Sequence, residues 1–413
     1  MFYSAREKNN RALDLINLRF SPVKTYKSVF RDETKLDINY VPYRLPHREK
    51  EQHLLMEFFR FMLRFPEKMA QRVIITGDVG TGKTVLSQRF GADITREANK
   101  MGINLRYVHI NCREYRGSLF LILHHAVTVF HPTYPRRGYS AEELLSALLQ
   151  ILDEENAYII LTLDEFESLI EREGSEAVYK LTRLQEIRPN KPQRLSLICI
   201  MRNLKAIERL DASTRSTLQL NIIRLEKYSK QQLVDILNDR VSSAFKPLVV
   251  SEETVSLIAE LAFSENGNAR FAIELLWRGG KYADAEDLGA VMPECVREAV
   301  SSIIPTVRKS ELASLKPHEK MFLLAVARIF KESQRAFATL AEIEEAYAVV
   351  CEEFDERPHS HTQLWKYLQL LSAIGILETE VSTRGTRGRS TLVYLLRIPA
   401  HELEKELSAS LEK

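Results

Sequence analysis

The sequence predicts an α/β protein: a parallel sheet built around a glycine-rich loop, then a small all-helical part, then three helices closed by a hairpin. Three observations carry this. Apolar runs at Val73–Thr76, Leu105–Ile110, Tyr158–Leu163 and Leu195–Met201 alternate with segments of helical spacing. The last two are near-continuously apolar, as strands covered on both faces are. Gly77-Asp-Val-Gly-Thr-Gly-Lys-Thr84 follows the first run and opens a helix expected over Lys83–Lys100, the strand–loop–helix context that G-x-x-x-x-G-K-[ST] requires. From Ser229 to about Arg308 the strand signal stops: Gln231–Ser243, Glu252–Ala262, Ala269–Trp277 and Met292–Ile303 all have helical spacing.

The remaining elements follow in order. Val41–Pro46 carries two prolines and reads as extended. Leu54, Leu55, Phe58, Phe59 and Met62 place a helix over His47–Leu63. Further helices are expected at Leu119–Phe130 and Ala141–Leu152. Beyond a hinge at Pro305–Ser310 the pattern gives helices at 317–330, 339–354 and 360–374, then strands at Gly375–Val381 and Thr391–Ile398. Three helices followed by a hairpin resemble a winged helix.

Bulk properties set limits. A chain of 413 residues is long for one core and fits two or three domains. Its 45% hydrophobic and 28% charged residues are ordinary globular composition. A net charge of +2 means that any nucleic-acid contact comes from local patches. Residues up to Lys35 carry eight Lys/Arg against four Asp/Glu, which reads as a basic, loosely packed arm. Cys112, Cys199, Cys295 and Cys351 have no C-x-x-C spacing, so each reads as a buried small hydrophobe in a reducing compartment. No apolar run approaches the ~20 residues that span a bilayer, and no apolar segment follows the basic N-terminus as a signal peptide would. A cytoplasmic, nucleoid-associated protein without membrane contact is expected.

The glycine-rich loop is a phosphate cradle. Its backbone N–H groups turn inward, and the positive end of the following helix faces the same point. Gly77, Asp78, Val79, Gly80, Thr81, Gly82, Lys83, Thr84 and Val85 are the candidate ATP/ADP contacts. Lys83 would serve the β- and γ-phosphates, and the Thr84 hydroxyl would ligate Mg²⁺. Leu161-Thr-Leu-Asp-Glu165 ends a buried strand, at the sheet edge where ligands bind. Asp164 would hold Mg²⁺, largely through water, and Glu165 would polarise an attacking water.

With a strand ending at Asn203 and Gly267-Asn-Ala-Arg270 in the helical part, these residues resemble an AAA+ ATPase. More specifically, the chain resembles the archaeal replication initiators of the Orc/Cdc type, from Val41 to the C-terminal hairpin. Leu45-Pro-His-Arg-Glu49, Asn111-Cys-Arg-Glu-Tyr-Arg116, Leu225–Arg240 with Tyr228, and Leu315-Lys-Pro-His-Glu-Lys320 carry the likeness. The resemblance implies a basic arm over 1–40, an AAA+ domain over 41–225, a helical lid over 226–308 and a winged helix over 309–413. It implies Pro46 and His47 beside the adenine, and Tyr228, Arg240 and Arg270 reaching the nucleotide from the lid side. Asn203 would be the first sensor and Arg270 the second. Two positions depart from the family pattern. Glu167 stands at the second acid of Asp-Glu-x-Asp. Asp211-Ala-Ser-Thr-Arg215 replaces Asp-Pro-Arg-Val, with Ser213 at the arginine, which leaves Arg215 as candidate for an arginine finger acting on a neighbouring subunit.

For DNA, the winged-helix part as a whole is not basic, with 13 Lys/Arg against 16 Asp/Glu from Ser310 onward. Its loop Ser382–Ser390 is: Arg384, Gly385, Thr386, Arg387 and Arg389 form a wing suited to phosphates or a minor groove. Ser360, His361, Gln363 and Lys366 open a recognition helix, with Trp365 and Tyr367 expected in the core. By resemblance, Arg113, Arg116, Gly117 and Ser118 start an insertion whose helix projects towards DNA. The implied role is an origin-binding ATPase that initiates replication with paralogous initiator subunits and recruits the replicative helicase. The alternative is an ADP-bound regulator of origins or promoters that loads nothing. A signalling or transposition ATPase fits less well, because of Asn111–Arg116.

Overall fold

The computed structural model describes residues 28–184, 188, 191–218, 221–303, 312, 314–333, 335–382, 390–396 and 398–412. They form two compact units. One is Thr34–Asp239 with Ala259–Glu274; the other is Arg240–Ile258 with Leu275–Lys413 and the described residues before Thr34.

The first unit holds α1 (Glu49–Arg64), β1 (Arg72–Thr76), α2 (Lys83–Lys100), β2 (Asn104–Asn111), α3 (Leu119–Thr128), α4 (Ala141–Glu154), β3 (Ala157–Asp164), α5 (Glu167–Thr182), β4 (Leu195–Met201), α6 (Ala212–Leu218) and β5 (Ile222–Arg224). The five strands are parallel, in the order β2-β3-β4-β1-β5. β3 shows why the apolar run is continuous. Ala157, Ile159, Leu161 and Leu163 join the core under α3, α4 and α5, while Tyr158 and Ile160 join the core under α1 and α2. Each of the isoleucines and leucines among them contributes about 1.5–3 kcal/mol by leaving water. The start of α4 is fixed by a capping box: the Glu143 N–H donates to Ser140 Oγ (3.2 Å) and the Ser140 N–H to Glu143 Oε2 (2.6 Å).

Three elements here were not anticipated. α5 is rich in glutamate, and Gly174 inside it has non-helical angles that interrupt the apolar spacing. α6 and β5 have only seven and three residues, too short for periodicity to declare itself.

The helical segments are α7 (Lys230–Ala244), α8 (Glu252–Ser264), α9 (Ala269–Ala285) and α10 (Pro293–Ile303). After them come α11 (Pro317–Ser333), β6 (Phe337–Thr339), α12 (Leu340–Glu353), α13 (His361–Ala373), β7 (Glu378–Ser382), β8 (Ser390–Tyr394) and α14 (Ala400–Leu411). The last three strands form an antiparallel sheet in the order β6-β8-β7, and with α11–α13 they make a winged helix. α11 is its axis, with Phe322–Ala327 and Phe330 buried. The hairpin's first strand begins at Glu378 rather than Gly375, because Gly375, at φ +76°, turns the chain out of α13. The expected hinge Pro305–Ser310 lies outside the described residues.

The expectation of a loosely packed arm needs correction for its described end. Val29 and Phe30 are buried, the Phe30 and Phe245 rings lie 4.7 Å apart, and Ser28 Oγ donates to Asp284 at 2.6 Å. All four cysteines are buried, and burial pushes the Cys199 thiol up to about 12. Among the described residues no helix is long and apolar enough to cross a membrane.

Among the groups that tie α10 to the winged-helix part, beside the Ala400 N–H on Glu294 (2.8 Å), is a buried arginine. Arg297 is fully buried; its Nε donates to Leu395 O (2.7 Å), its Nη2 to Arg335 O (2.8 Å) and its Nη1 to Glu294 Oε2 (2.9 Å), with the guanidinium over the Phe330 ring. Arg297→Met should leave both carbonyls unpaired and cost about 2–6 kcal/mol, taking about 1–3 kcal/mol for each orphaned acceptor. Urea unfolding followed by tryptophan fluorescence measures it.

Candidate functional site

The loop Gly77–Gly82 leaves the carboxyl end of β1 and runs into α2. Gly80 and Gly82 have φ of +79° and +91°, angles that side chains rarely tolerate. Space is as restrictive as backbone: a Cβ on Gly80 would lie 1.9 Å from Asn268 Oδ1, and one on Gly82 3.0 Å from the Tyr228 hydroxyl. Lys83 Nζ donates to the carbonyls of Gly77 (2.6 Å) and Asp78 (2.7 Å). Burial lowers its pKa, against the opposing pull of Asp164 and Glu167.

β3 delivers Asp164 to the same point. Thr84 Oγ1 donates to Asp164 Oδ2 at 2.7 Å, the Glu165 N–H donates to Asp164 Oδ1 at 2.9 Å, and His109 Nε2 lies 3.2 Å from Oδ2. Burial pushes the buried carboxyl's pKa up, but the bonds from His109 and Thr84 outweigh it, and the net value falls below the ordinary aspartate range. Asp164 is therefore ionised throughout the neutral range. A half-buried hydroxyl bonded to a buried carboxylate beside a lysine fits Mg²⁺ and phosphate oxygens. Glu165 follows in a left-handed conformation, φ +51°, with its carboxylate 3.9 Å from the Arg113 guanidinium.

The other expected contacts are distributed around this centre. Asn203 caps the turn after β4 by accepting the Lys205 N–H (3.0 Å), and Glu167 accepts the neighbouring Arg202 N–H. Thr76, Gly77, Asp78, Arg202, Asn203 and Lys227 line one cleft of about 460 Å³. Val79 is exposed and Val85 half-buried. Gly267-Asn-Ala-Arg270 meets the loop directly: the Ala269 N–H donates to Gly80 O at 3.2 Å, and Asn268 caps α9 through the Phe271 N–H. Arg270 is exposed in the same first turn of α9. Pro46 and His47 are half-buried; His47 Nε2 lies 2.7 Å from Asp235 Oδ2. Tyr228 is buried against the loop. Arg240 is buried and belongs to the second unit. Arg215 is half-buried on α6, which Asp211 caps through Thr214. Arg48, His109 and Asn268 were not singled out from the sequence, although Arg48 and Asn268 lie inside the quoted motifs.

Residues 310–406 match the family described as CDC6, C terminal winged helix domain, residues 234–301 the Cdc6 AAA+ ATPase-type lid domain, and residues 67–210 an AAA domain. Over 373 residues the chain is 34% identical to ORC1-type DNA replication protein 2 of Saccharolobus solfataricus, covering 89% of this chain and 90% of that one. The chain belongs to the Cdc6/ORC1-type family of DNA replication proteins. Its fold is similar to the crystal structure of Cdc6p from Pyrobaculum aerophilum, with TM-score 0.80 and 30% identity over 93% of this chain and 99% of that one. It is also similar to the Aeropyrum pernix ORC1 protein solved in complex with DNA, with TM-score 0.61 and 26% identity over 92% and 97% of the two chains.

Within this Cdc6-type chain the DNA-contact candidates divide sharply. Ser360, His361 and Lys366 are exposed at the start of α13, Gln363 is half-buried, and His361 pairs with Glu344. Trp365 corrects the core expectation: it is exposed beside Lys366, because only Leu364, Tyr367 and Leu368 face inward there. Gly117 and Ser118 are also corrected. Both are buried, and a Cβ on Gly117 would lie 2.1 Å from Ser168 O. The helix they introduce, α3, does not project; Leu119, Ile122, Leu123, Ala126 and Val127 dock it into the sheet's core. Arg113 and Arg116 stay exposed. Arg384, Gly385, Thr386, Arg387 and Arg389 lie outside the described residues.

Gly80→Ala should destabilise the protein by about 1–3 kcal/mol through its backbone angle alone and push Asn268 off the loop. Chemical unfolding and ADP titration together should show both losses.

Proposed function

We propose that the chain is an origin-binding ATPase that recognises duplex DNA at replication origins, with ATP and ADP as the two states of a switch. One observation carries the nucleotide half of this reading: the Thr84–Asp164 pair at 2.7 Å, set beside Lys83 after a loop whose glycines leave no room for a side chain. Thr84 and Asp164 would hold Mg²⁺, which when bound offsets phosphate charge. Lys83 would exchange its two carbonyl partners for phosphate oxygens. Glu165 would accept a proton from water at a carboxylate oxygen, and Asn203 and Arg270 would sense the phosphate end. We assign 41–225 to the ATPase, 226–308 to the lid, 309–413 to the winged helix and 1–40 to the arm, in a cytoplasmic protein.

The DNA half rests on family membership, on the Aeropyrum pernix relative solved with DNA, and on the exposed face of α13. Paralogous initiator subunits and the replicative helicase are the proposed protein partners. If Arg384, Arg387 and Arg389 bind phosphates, replacing all three by Ala should flatten the dependence of log K on log salt by about 2–3, since each phosphate contact contributes about 0.9. Unchanged affinity and slope in fluorescence anisotropy would remove the wing from this reading.

A second reading, an ADP-bound regulator that loads nothing, is favoured by Ser213, which accepts from Arg183 Nη2 at 2.5 Å where the family's arginine is expected. Glu165→Ala separates the two. Under the first reading it lowers helicase recruitment in a pull-down on origin DNA; under the second there is no recruitment for it to lower, and DNA binding is unchanged.

A further inference from the structure

Arg48 stands just before α1, in the stretch whose family likeness places it by the adenine, yet one of its bonds reaches the phosphate loop. The side chain is 5% exposed. Its Nε donates to Thr81 O (3.2 Å), its Nη2 to Glu226 O (2.6 Å) and its Nη1 to His47 O (3.3 Å). The guanidinium lies 4.0 Å from the centre of the Tyr228 ring, and Glu51 offers a carboxylate 3.5 Å away. All three carbonyls belong to segments with no ladder to occupy them.

We infer that Arg48 is a positioning residue for the phosphate end of the nucleotide: by holding the Thr81 carbonyl outward, it aims the Gly82 N–H into the cradle. The inference rests on the nucleotide reading above. A trans peptide is planar, so its C=O and N–H point in opposite directions, and the described residues contain no cis peptide. A donor behind the loop that captures Thr81 O therefore fixes where the next N–H points. The Ala269 N–H does the same one peptide earlier, on Gly80 O. Gly82 has no Cβ to hold its φ of +91°, so the orientation must come from outside the loop. The fork is needed because two carbonyls from different segments must be reached from one plane while the ring of Tyr228 covers its face. A lysine reaches one of them and cannot stack flat.

Arg48→Met and Arg48→Lys test this by titration calorimetry with ADP and with adenosine, beside Lys83→Ala. Arg48→Met should weaken ADP about tenfold or more, the loss expected when a charge-assisted bond is removed, while adenosine affinity changes less than about twofold. Arg48→Lys should recover little. An equal loss of ADP and adenosine would overturn the inference in favour of an adenine or general structural role. Should Arg48→Met fail to fold, Arg48→Lys carries the test, and wild-type ADP affinity in it overturns the inference. If Lys83→Ala loses ADP and the Arg48 variants do not, the inference fails alone; if Lys83→Ala retains ADP, the nucleotide reading itself fails.

Discussion

A carboxylate buried at the end of a fully covered strand raises the free energy of the fold unless its oxygens are bonded, and the arrangement around Asp164 answers that requirement. Burial alone would raise its pKa. The Thr84 hydroxyl, the Glu165 N–H and His109 together keep it charged, and each of those groups is brought there by a different element. Thr84 comes from the first turn of α2, Glu165 from the left-handed turn after β3, and His109 from β2. The parallel sheet is what allows this, since every strand presents its carboxyl end on one side.

The loop itself is held from behind as much as from within. Ala269 takes Gly80 O, Arg48 takes Thr81 O, and Gly267 packs its Cα against the Tyr228 backbone so closely that a Cβ would lie 2.4 Å from Tyr228 O. The three glycines thus have two duties: Gly80 and Gly82 free the backbone, and Gly267 lets two segments touch. A phosphate-binding loop with such supports loses little conformational entropy when a ligand arrives, which is where preorganised sites obtain affinity.

Legibility in the sequence followed length and periodicity. β4 and α2 were placed to the residue, because a long apolar run and a glycine-bounded helix each have a period that local chemistry states. β5, β6 and α6 were not, since elements of three to seven residues gain their identity from a neighbour rather than from their own pattern, and α14 was not singled out either. The glycine-rich motif singles out Lys83 and Thr84, and the end of a buried apolar strand singles out Asp164; the structure brings Thr84 and Asp164 together. Arg48 was not singled out: a buried arginine looks in sequence like a surface one, and only the carbonyls it meets, at Thr81 and Glu226, distinguish it. Gly117 and Ser118 were misread for the converse reason. Small polar residues beside arginines resemble a phosphate-binding turn, but here they let the chain pass close over Ser168.

The segment after β4 bears on how fast any hydrolysis can run. Asp211 spends both carboxylate oxygens on Thr214, through its N–H at 2.9 Å and its hydroxyl at 2.7 Å, and these bonds pull its pKa down to about 2. That makes Asp211-Ala-Ser-Thr214 a helix start, and it fixes Ser213 on the exposed first turn of α6. A serine there brings no cation to a neighbouring site. Arg215 lies two residues further on, half-buried, its N–H bonded to Asp211 O at 2.9 Å, so a finger built on it must leave a different face of the helix. An arginine finger supplies roughly 10³–10⁵ in rate, so a neighbouring site that no arginine completes turns over slowly. On the proposed reading this is the physical basis for a switch that rests in its ADP state, with the posture set by bound nucleotide rather than by the rate of turnover.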